Sequence, residues 1–471
     1  MNAKLFYEAL LTALAGLACA ADTVYLNDGT EASGTIIEES AITVVIKRSN
    51  GALQSFRRSD VDAVVYEKKA PGAPANLTPP DADWPQWRGP DRTGVAHNSP
   101  PLASAWPDSG PKKVWEVRPV RAYAGGYGCP VVAAQGRAYM FIHDKAKTRE
   151  MVVCLNARTG STIWIQQFTS RETMHNASGT PCVVKGRLYV TGARVSYCLD
   201  AMTGALLWKQ DTGVPAQDPA VNKANQEVSS SFIVVNDIAA TMLGPCHGLN
   251  TQTGNTVWTA PESGGYSGAM TSPVRWMYNG KAYLVYCGKW RMCCVEADNG
   301  TVLWDVHGNK TGKGYAPTPS LVGDDLAVYW RGKLGAYHLT DAGPKLLWEV
   351  EYFDPYSSPI LDNGRVYAAG RQQDGKDTSL TCYDLATGNP RWVCSIPDPE
   401  YSSPILADGK LIVLGDKGKR LILVDALTGK LLANVPINGK RWSSPALANG
   451  LLYVRLADDG LACYDLTCPR R

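Results

Sequence analysis

Short runs of alternating apolar and polar residues, separated by turn-forming residues, are the dominant pattern along this chain. Near the beginning, residues 23–26 and 42–46 alternate in this way, and Asn50-Gly51 is a strong hairpin turn. A period of two residues is typical of strands with one buried face, so the pattern predicts about five strands between residues 23 and 66. About five short strands are enough for a small SH3-like β-barrel, which is the first predicted domain.

From residue 84 onward one motif recurs, Asp/Asn-x-x-Thr-Gly-x-x-x-Trp, and its tryptophans lie about 44 residues apart. A Ser-Pro pair followed by an Asn-Gly or Asp-Gly turn precedes several copies, so each period contains four short strands. A fixed period of four strands is typical of a β-propeller, in which every repeat forms one blade. Clear copies occupy residues 156–164, 200–208, 250–258 and 384–392, and weaker copies occupy 296–304, 340–348 and 425–433.

The two ends of the repeat region complement each other. The final copy stops after Cys463 without its tryptophan strand, while Trp115 lies in an isolated strand of the same character near the start. We therefore expect the Trp115 strand to pair with the Cys463 strand. Such a pair completes eight blades and closes the ring, which leaves no open sheet edge.

The stretch from Cys198 to Trp208, Cys-Leu-Asp-Ala-Met-Thr-Gly-Ala-Leu-Leu-Trp, matches the pyrroloquinoline-quinone-type (PQQ-like) repeat pattern. Residues 84–466 therefore resemble the PQQ-like propeller superfamily, and residues 83–95 are similar to the start of many secreted bacterial members. The resemblance implies an all-β fold, an eight-bladed β-propeller of the quinoprotein alcohol dehydrogenase-like type. It also implies two functional classes. One comprises PQQ- and calcium-dependent periplasmic dehydrogenases of alcohols or sugars, and the other comprises binding scaffolds such as the propeller lipoprotein of outer-membrane protein assembly.

Four segments are expected along the chain. Lys4, the apolar run at 9–18 and the small residues around Cys19 are typical of a signal peptide over residues 1–21, which places the mature protein in the periplasm or outside the cell. Acylation of Cys19 would instead produce an outer-membrane lipoprotein. The small β-barrel is then expected over residues 22–67, a Pro-rich linker over 68–83, and the propeller over 84–471.

Composition narrows the range of partners. Lys and Arg total 47 against 44 Asp and Glu, and the resulting net charge of +3 disfavours a nucleic-acid binder. No later run reaches the ~20 apolar residues of a membrane span, and we expect a monomer.

Five cysteines share one position of the repeat and are expected to be separate buried thiols, although export would permit disulfides. They are Cys154, Cys198, Cys294, Cys382 and Cys463.

Three features bear on catalysis. The repeated tryptophans are expected to pack between blades, because a cofactor would need such a residue only once. The dehydrogenases that the chain resembles carry a disulfide of adjacent cysteines against the quinone, but Cys293-Cys294 here lies within a predicted strand, which favours buried thiols. Their calcium needs a Glu, an Asn and an Asp, and Glu227, Asn176 and Asp324 are isolated residues more simply explained as loop positions. We therefore expect no bound cofactor or metal, with PQQ and calcium as the alternative.

An aromatic residue precedes the first strand of several repeats. Because first strands line the channel of a propeller, these rings are candidates for a binding surface around its mouth; the alternative is that they pack on the next blade. Polar stretches at 169–179 and 212–228 would form the rim. We predict a non-enzymatic scaffold that binds an envelope protein or an extracellular glycan, and the alternative is a PQQ-dependent dehydrogenase. The candidate residues are Tyr127, Tyr315, Tyr356, Tyr401 and Trp442.

Overall fold

The chain divides by its contacts into two compact units, residues 1–76 and 77–471. The predicted signal peptide with Cys19, and residues 68–81 of the predicted linker, lie outside the described residues. The computed structural model describes residues 22–26, 28, 30–39, 43–57, 60–65, 82–119, 123–124, 129–144, 149–169, 179–192, 195–211, 230–262, 271–288, 290–308, 317–351, 357–371, 378–399 and 401–468.

The first unit contains one antiparallel sheet with the strand order β4-β3-β2-β1-β5. Alternation along β3 turns Val44 and Ile46 into a small core that also contains Val24 and Val61. The expected strands are present, and closure of this sheet into an SH3-like barrel stays a prediction. The strands are β1 Asp22–Leu26, β2 Glu31–Glu39, β3 Thr43–Lys47, β4 Leu53–Arg57 and β5 Val61–Val65.

The described residues of the second unit form eight sheets, numbered here 1 to 8, and nearly every sheet is built from four consecutive strands. Sheet 1 contains β8 Tyr123–Ala124, β9 Val132–Ala134, β10 Arg137–Asp144, β11 Arg149–Asn156 and β12 Thr162–Thr169. Sheet 2 contains β13 Cys182–Val184, β14 Arg187–Thr191, β15 Val195–Asp200 and β16 Leu206–Asp211. Sheet 3 contains β17 Ile233–Val235, β18 Ile238–Met242, β19 Pro245–Asn250 and β20 Thr256–Glu262. Sheet 4 contains β21 Val274–Tyr278, β22 Lys281–Cys287, β23 Arg291–Glu296 and β24 Val302–His307.

Sheets 5 and 6 repeat this arrangement, while sheets 7 and 8 each recruit a strand from the beginning of the unit. Sheet 5 contains β25 Ser320–Val322, β26 Asp325–Trp330, β27 Lys333–Thr340 and β28 Gly343–Glu351. Sheet 6 contains β29 Ile360–Asp362, β30 Arg365–Arg371, β31 Thr378–Asp384 and β32 Pro390–Ser395. Sheet 7 contains β33 Ile405–Ala407, β34 Lys410–Gly415, β35 Arg420–Asp425, β36 Leu431–Pro436 and the added β6 Val95–Ala96. Sheet 8 contains β37 Ala446–Ala448, β38 Leu451–Arg455, β39 Leu461–Asp465 and the added β7 Lys112–Val117.

The first strands of the sheets gather around one axis. Contacts join β17 to β21, β21 to β25 and β25 to β29, and β37 of sheet 8 contacts β9 of sheet 1. Within sheet 8, β7 pairs antiparallel with β39 and places Trp115 opposite Cys463. The expected pairing of these two strands is therefore confirmed.

The repeated tryptophans join each sheet to the next. A Cβ atom built on Gly254 of sheet 3 would lie 2.6 Å from the ring of Trp208 in sheet 2. The Nε1 group of Trp208 also donates a hydrogen bond of 3.0 Å to the carbonyl of Thr251 in the same turn. Packing between repeats, as predicted for these residues, is confirmed. Equivalent bonds to the next turn come from Trp115, Trp164, Trp258, Trp348 and Trp392.

Hydroxyl groups at the start of the first strands add a second connection between neighbouring sheets. The amide of Ser358 donates to Oγ of Ser403 at 3.0 Å, and the amide of Ser403 donates to Oγ of Ser444 at 2.9 Å. The same bond runs from Ser231 to Ser272 at 3.0 Å. The Ser-Pro pairs of the repeat therefore hold adjacent sheets together where the chain enters each one.

Candidate functional site

The axis of the second unit has two distinguishable ends. We call the end where the first strands begin the start face, and the end where they finish the finish face. Residues 84–96, the crossing segment, lie across the axis between them. Trp84 forms a bridge with Ala133 of sheet 1, and Val95 and Ala96 form β6 beside β33 of sheet 7. The segment therefore begins on sheet 1 and ends on sheet 7, the two neighbours of sheet 8, and its central residues reach sheets farther round the ring.

Two buried arginines hold the crossing segment in place. Arg88 and Arg92 are only 3% and 1% exposed. Arg88 donates to the carbonyls of Thr318 in sheet 5 and Pro359 in sheet 6, and Arg92 donates to the carbonyl of Phe232 in sheet 3. Burial lowers the pKa of Arg88 to about 9 and that of Arg92 to about 10. Each guanidinium therefore supplies donors to several backbone carbonyls that point toward the axis.

Two of the predicted mouth residues lie together on the start face. The rings of Tyr401 and Trp442 are 5.8 Å apart and perpendicular, and both side chains are half-buried. The guanidinium carbon of the exposed Arg441 lies 4.4 Å from the centre of the Trp442 ring, which is cation–π geometry. We call Tyr401, Arg441 and Trp442 the mouth cluster. It presents two aromatic surfaces and one cation to solvent.

Positive charge continues from the mouth cluster into the protein. Lys440 forms an ion pair with Asp459, and burial together with the nearby Arg455 lowers the pKa of Lys440. Arg455 is only 1% exposed and donates to the carbonyl of Cys129 at 3.3 Å. The start face between sheets 7 and 8 therefore carries an excess of cations.

Several predicted site residues lie outside the described residues. These include the three remaining aromatic candidates and the rim stretches 170–178 and 212–228. Their part in a binding surface stays a prediction. The aromatic residues are Tyr127, Tyr315 and Tyr356.

The adjacent cysteines do not fit a role beside a quinone. Both thiols are free, fully buried and in the regular strand β23. Cys293 packs with Cys246 and Tyr286 between sheets 3 and 4, whereas Cys294 packs with Trp304 on the other side of sheet 4. Neighbouring side chains of a strand point to opposite faces, so these sulfur atoms face apart. Burial raises the pKa of both thiols, that of Cys293 to about 11.

One of the three calcium candidates can be placed in the structure. Asp324 accepts a hydrogen bond of 2.8 Å from Nε1 of Trp276, so its carboxylate joins sheets 4 and 5 instead of being only a solvated loop residue. Glu227 and Asn176 lie outside the described residues. In the described part of the chain, no three His, Cys, Asp or Glu residues are grouped closely enough to hold a metal ion. The described residues by themselves therefore do not assemble the donor set that the resemblance implies.

Sequence reasoning missed the crossing segment and the cationic part of the mouth. The signal for the first was Arg88-Gly-Pro-Asp-Arg92, two arginines in a stretch rich in Gly, Pro and Trp. Both arginines have positive φ, 62° and 61°, which residue identity alone does not reveal. The signal for the second was the run Lys440-Arg441-Trp442, where a cation stands next to the predicted aromatic residue.

Most of the second unit matches one family model. The model described as outer membrane protein assembly factor BamB matches residues 148–394 and 376–468. These matches cover sheets 2 to 6, sheets 7 and 8 apart from β6 and β7, and the last two strands of sheet 1. No helix of the described residues has the length and apolar character that a membrane crossing requires.

Two characterised proteins are similar in sequence. A tetrathionate hydrolase of Acidithiobacillus ferrooxidans is 23% identical over 462 residues, which cover 84% of this chain and 85% of the relative. The quinoprotein alcohol dehydrogenase PedH of Pseudomonas putida is 26% identical over 217 residues. This second match covers 42% of the present chain and spans only 34% of the length of PedH.

Solved structures share the fold at low sequence identity. BamB from Moraxella catarrhalis superposes with a TM-score of 0.51 and 15% identity, covering 76% of this chain and 100% of that chain. A quinohemoprotein alcohol dehydrogenase from Comamonas testosteroni gives a TM-score of 0.62 and 12% identity, covering 83% and 82% of the two chains. The predicted all-β fold of the PQQ-like propeller superfamily is confirmed. Because this fold carries both binding proteins and enzymes, it does not choose between them.

Proposed function

Since this chain belongs to the family described as outer membrane protein assembly factor BamB, we propose that it is a non-enzymatic scaffold of the bacterial cell envelope. In this proposal the exported protein holds an envelope protein against the start face of its propeller, and an extracellular glycan is the alternative partner. The mouth cluster is the observation that carries the proposal.

The composition of the mouth cluster supports protein binding. Tyr, Trp and Arg are the residues most enriched among those that dominate the energy of protein interfaces. Here one residue of each type is exposed or half-buried in a single contact group, with ring centroids 5.8 Å apart and the guanidinium 4.4 Å from the indole. The exposed guanidinium of Arg441 would favour an acidic partner surface and accelerate its approach.

The interior of the propeller supports a binding role over a quinone-dependent one. Cys293 and Cys294 face different sheet interfaces, and Asp324 is engaged by Trp276. The crossing segment places Arg88 and Arg92 on the axis, where their terminal guanidinium nitrogens are paired with backbone carbonyls. The described residues of the axis therefore serve to join sheets, and we assign no catalytic step to them.

Capture of the partner tests the proposal. The double substitution Tyr401→Ala/Trp442→Ala should abolish recovery of the envelope partner with the tagged protein, while Tyr278→Ala, an aromatic change at the finish face, should leave recovery unchanged. Equal unfolding midpoints of the variants would show that the fold is intact. Recovery that survives the double substitution would exclude the mouth cluster as the binding surface.

A second candidate function is hydrolysis of a small sulfur compound, which the match along most of the chain to tetrathionate hydrolase favours. The purified protein can be incubated with tetrathionate, and separately with alcohols, PQQ and calcium under dye-linked assay conditions. Our proposal predicts no turnover in either assay. Sustained turnover in one of them would make the corresponding enzyme the primary function.

A further inference from the structure

The finish face contains a pocket that is separate from the mouth cluster. Its volume is about 460 Å³, within the usual range for small-molecule sites. The crossing segment forms its floor, and residues of β17, β21, β25 and β29 form its walls. The mouth cluster lies where first strands begin, whereas this pocket includes the residues with which β25 and β29 end.

Charges of opposite sign line this pocket on different sheets. Arg275 on sheet 4 is exposed and makes no ion pair or side-chain hydrogen bond within the described part of the chain. Asp362 lies on sheet 6, with sheet 5 between them. On the crossing segment, Asp91 lies 3.7 Å from His97 as a second acidic group of the lining. A ligand that satisfies both sides therefore carries an anion at one end and a cation at the other.

The lining between these charges is apolar. Met277 and Val322 contribute side chains that are 53% and 46% exposed, and Leu321 lies beside them. None of the described lining residues is Phe, Tyr or Trp. Sugars commonly stack on aromatic rings, so the composition favours aliphatic side chains as occupants over a glycan.

We propose that the finish-face pocket binds short peptides with free ends and aliphatic side chains, the terminal carboxylate on Arg275 and the terminal amine toward Asp362 and Asp91. The two charged walls give such a ligand one direction in the pocket. Met277, Leu321 and Val322 contact its side chains. This activity is independent of the partner at the mouth cluster, because the two surfaces share no residue.

Calorimetry with defined peptides tests this proposal. The probe is Ala-Leu-Ala with free ends, compared with its N-acetylated and C-amidated forms, using the purified protein. Blocking either end should weaken binding about tenfold or more, since a charge-assisted contact is lost. Arg275→Gln should abolish the preference for the free carboxylate, and Asp362→Asn the preference for the free amine. The exposed controls Lys345→Gln and Asp341→Asn, in sheet 5 outside the pocket, should bind as the unmodified protein does.

Three results would overturn the proposal. The first is the absence of saturable binding at millimolar peptide, and the second is binding that end-blocking does not weaken. The third is binding of maltotriose with an affinity equal to that of the peptide. Tyr401→Ala/Trp442→Ala should keep full peptide affinity, so failure here is distinguishable from failure of the scaffold function.

Discussion

Trp304 shows at the residue scale how one repeated side chain depends on the turn that follows it. Six of its counterparts donate to a carbonyl in the next turn, but Nε1 of Trp304 has no hydrogen-bond partner among the described residues. The next turn belongs to sheet 5, where a tight hairpin from Thr340 to Gly343 replaces the Thr-Gly motif. A Cβ atom built on Gly343 would have its nearest neighbour at 3.9 Å, and this neighbour belongs to Val306. Trp304 therefore does not pack closely on this glycine as Trp208 does on Gly254.

This exception gives a matched comparison. Trp208→Phe removes an indole donor that is bonded to Thr251, whereas Trp304→Phe removes one that is not. We expect the first substitution to lower the free energy of unfolding by up to about 1 kcal/mol more than the second, because the Thr251 carbonyl loses its indole donor and keeps only the 3.3 Å bond from Arg187. Urea unfolding of both variants measures the difference. Equal losses would mean that the bond to the turn contributes nothing.

The turn glycines permit the same kind of test. Gly254 has φ of +75° and a Cβ position 2.6 Å from Trp208, whereas Gly280 has φ of +74° and no atom within 4 Å. Gly254→Ala should therefore lower the free energy of unfolding by about 2–4 kcal/mol, and Gly280→Ala by only about 1 kcal/mol. Denaturant titration of the two variants checks this ratio. Similar losses would show that backbone strain alone accounts for the loss of stability and that the close approach to Trp208 adds nothing.

At the scale of elements, the crossing segment joins sheets that do not touch each other. Arg88 reaches sheets 5 and 6, Arg92 reaches sheet 3, and β6 lies beside sheet 7. A ring of sheets has contacts only between neighbours, so bonds across the axis couple its opposite sides. The segment therefore adds cooperativity that the repeats alone do not provide.

Arg88→Met tests this coupling. The substitution leaves the carbonyls of Thr318 and Pro359 buried without their donor and should lower the free energy of unfolding by about 3 kcal/mol or more. Arg331→Met, which removes an exposed guanidinium lying over Trp330, should cost about 1 kcal/mol or less. If both variants unfold at the same denaturant concentration, the bonds of the crossing segment do not couple the sheets across the axis.

The strands and their order were largely predictable because each repeat encodes its own sheet locally. Period-two alternation, Asn-Gly turns and the Trp115–Cys463 complement are all short-range or repeated signals. The crossing segment is encoded differently, by Arg88 and Arg92 in left-handed backbone conformations whose carbonyl partners lie more than a hundred residues away. Such contacts have no period, and sequence pattern therefore does not reveal them.

The candidate site was predictable in part for the same reason. Tyr401 and Trp442 precede repeated Ser-Pro pairs, so their equivalent positions before the first strands of sheets 7 and 8 follow from the repeat. Arg441 and Arg455 have no repeated counterpart, and their contribution emerges only from three-dimensional contact. The finish-face pocket likewise combines residues from four sheets and the crossing segment.

At the scale of the whole molecule, buried thiols make the stability of the protein sensitive to alkaline pH. Burial raises the pKa of Cys129, Cys198 and Cys382 to about 11 from an ordinary value of 9.0. The unfolded chain loses these protons first, so stability is complete below pH 9 and falls as the pH rises toward 11. The lowered pKa of Lys440 makes its own contribution to stability increase with pH, but this is a single group, whereas several thiols act in the opposite direction.

We therefore expect the free energy of unfolding to decrease between pH 9 and 11, by up to about 1.4 kcal/mol per pH unit for each thiol that ionises only on unfolding. Urea titrations under reducing conditions measure this slope. A thiol reagent at neutral pH is an independent check, since Cys468 is the one exposed cysteine of the described residues and should react first. Constant stability up to pH 10 would contradict the burial of the thiols.

Site-specific photocrosslinking in intact cells tests the central claim, that an envelope protein binds the start face. Lys417 lies there in the turn next to Gly439 and Lys440, and Asn363 lies in a turn of the finish face; both are exposed, with φ of 58° and 46°. A photoreactive residue at position 417 should yield a discrete crosslinked envelope protein that disappears in the Tyr401→Ala/Trp442→Ala background, and the same residue at position 363 should not. Crosslinking of the same protein from position 363, or crosslinking from position 417 that survives the double substitution, would contradict a start-face scaffold.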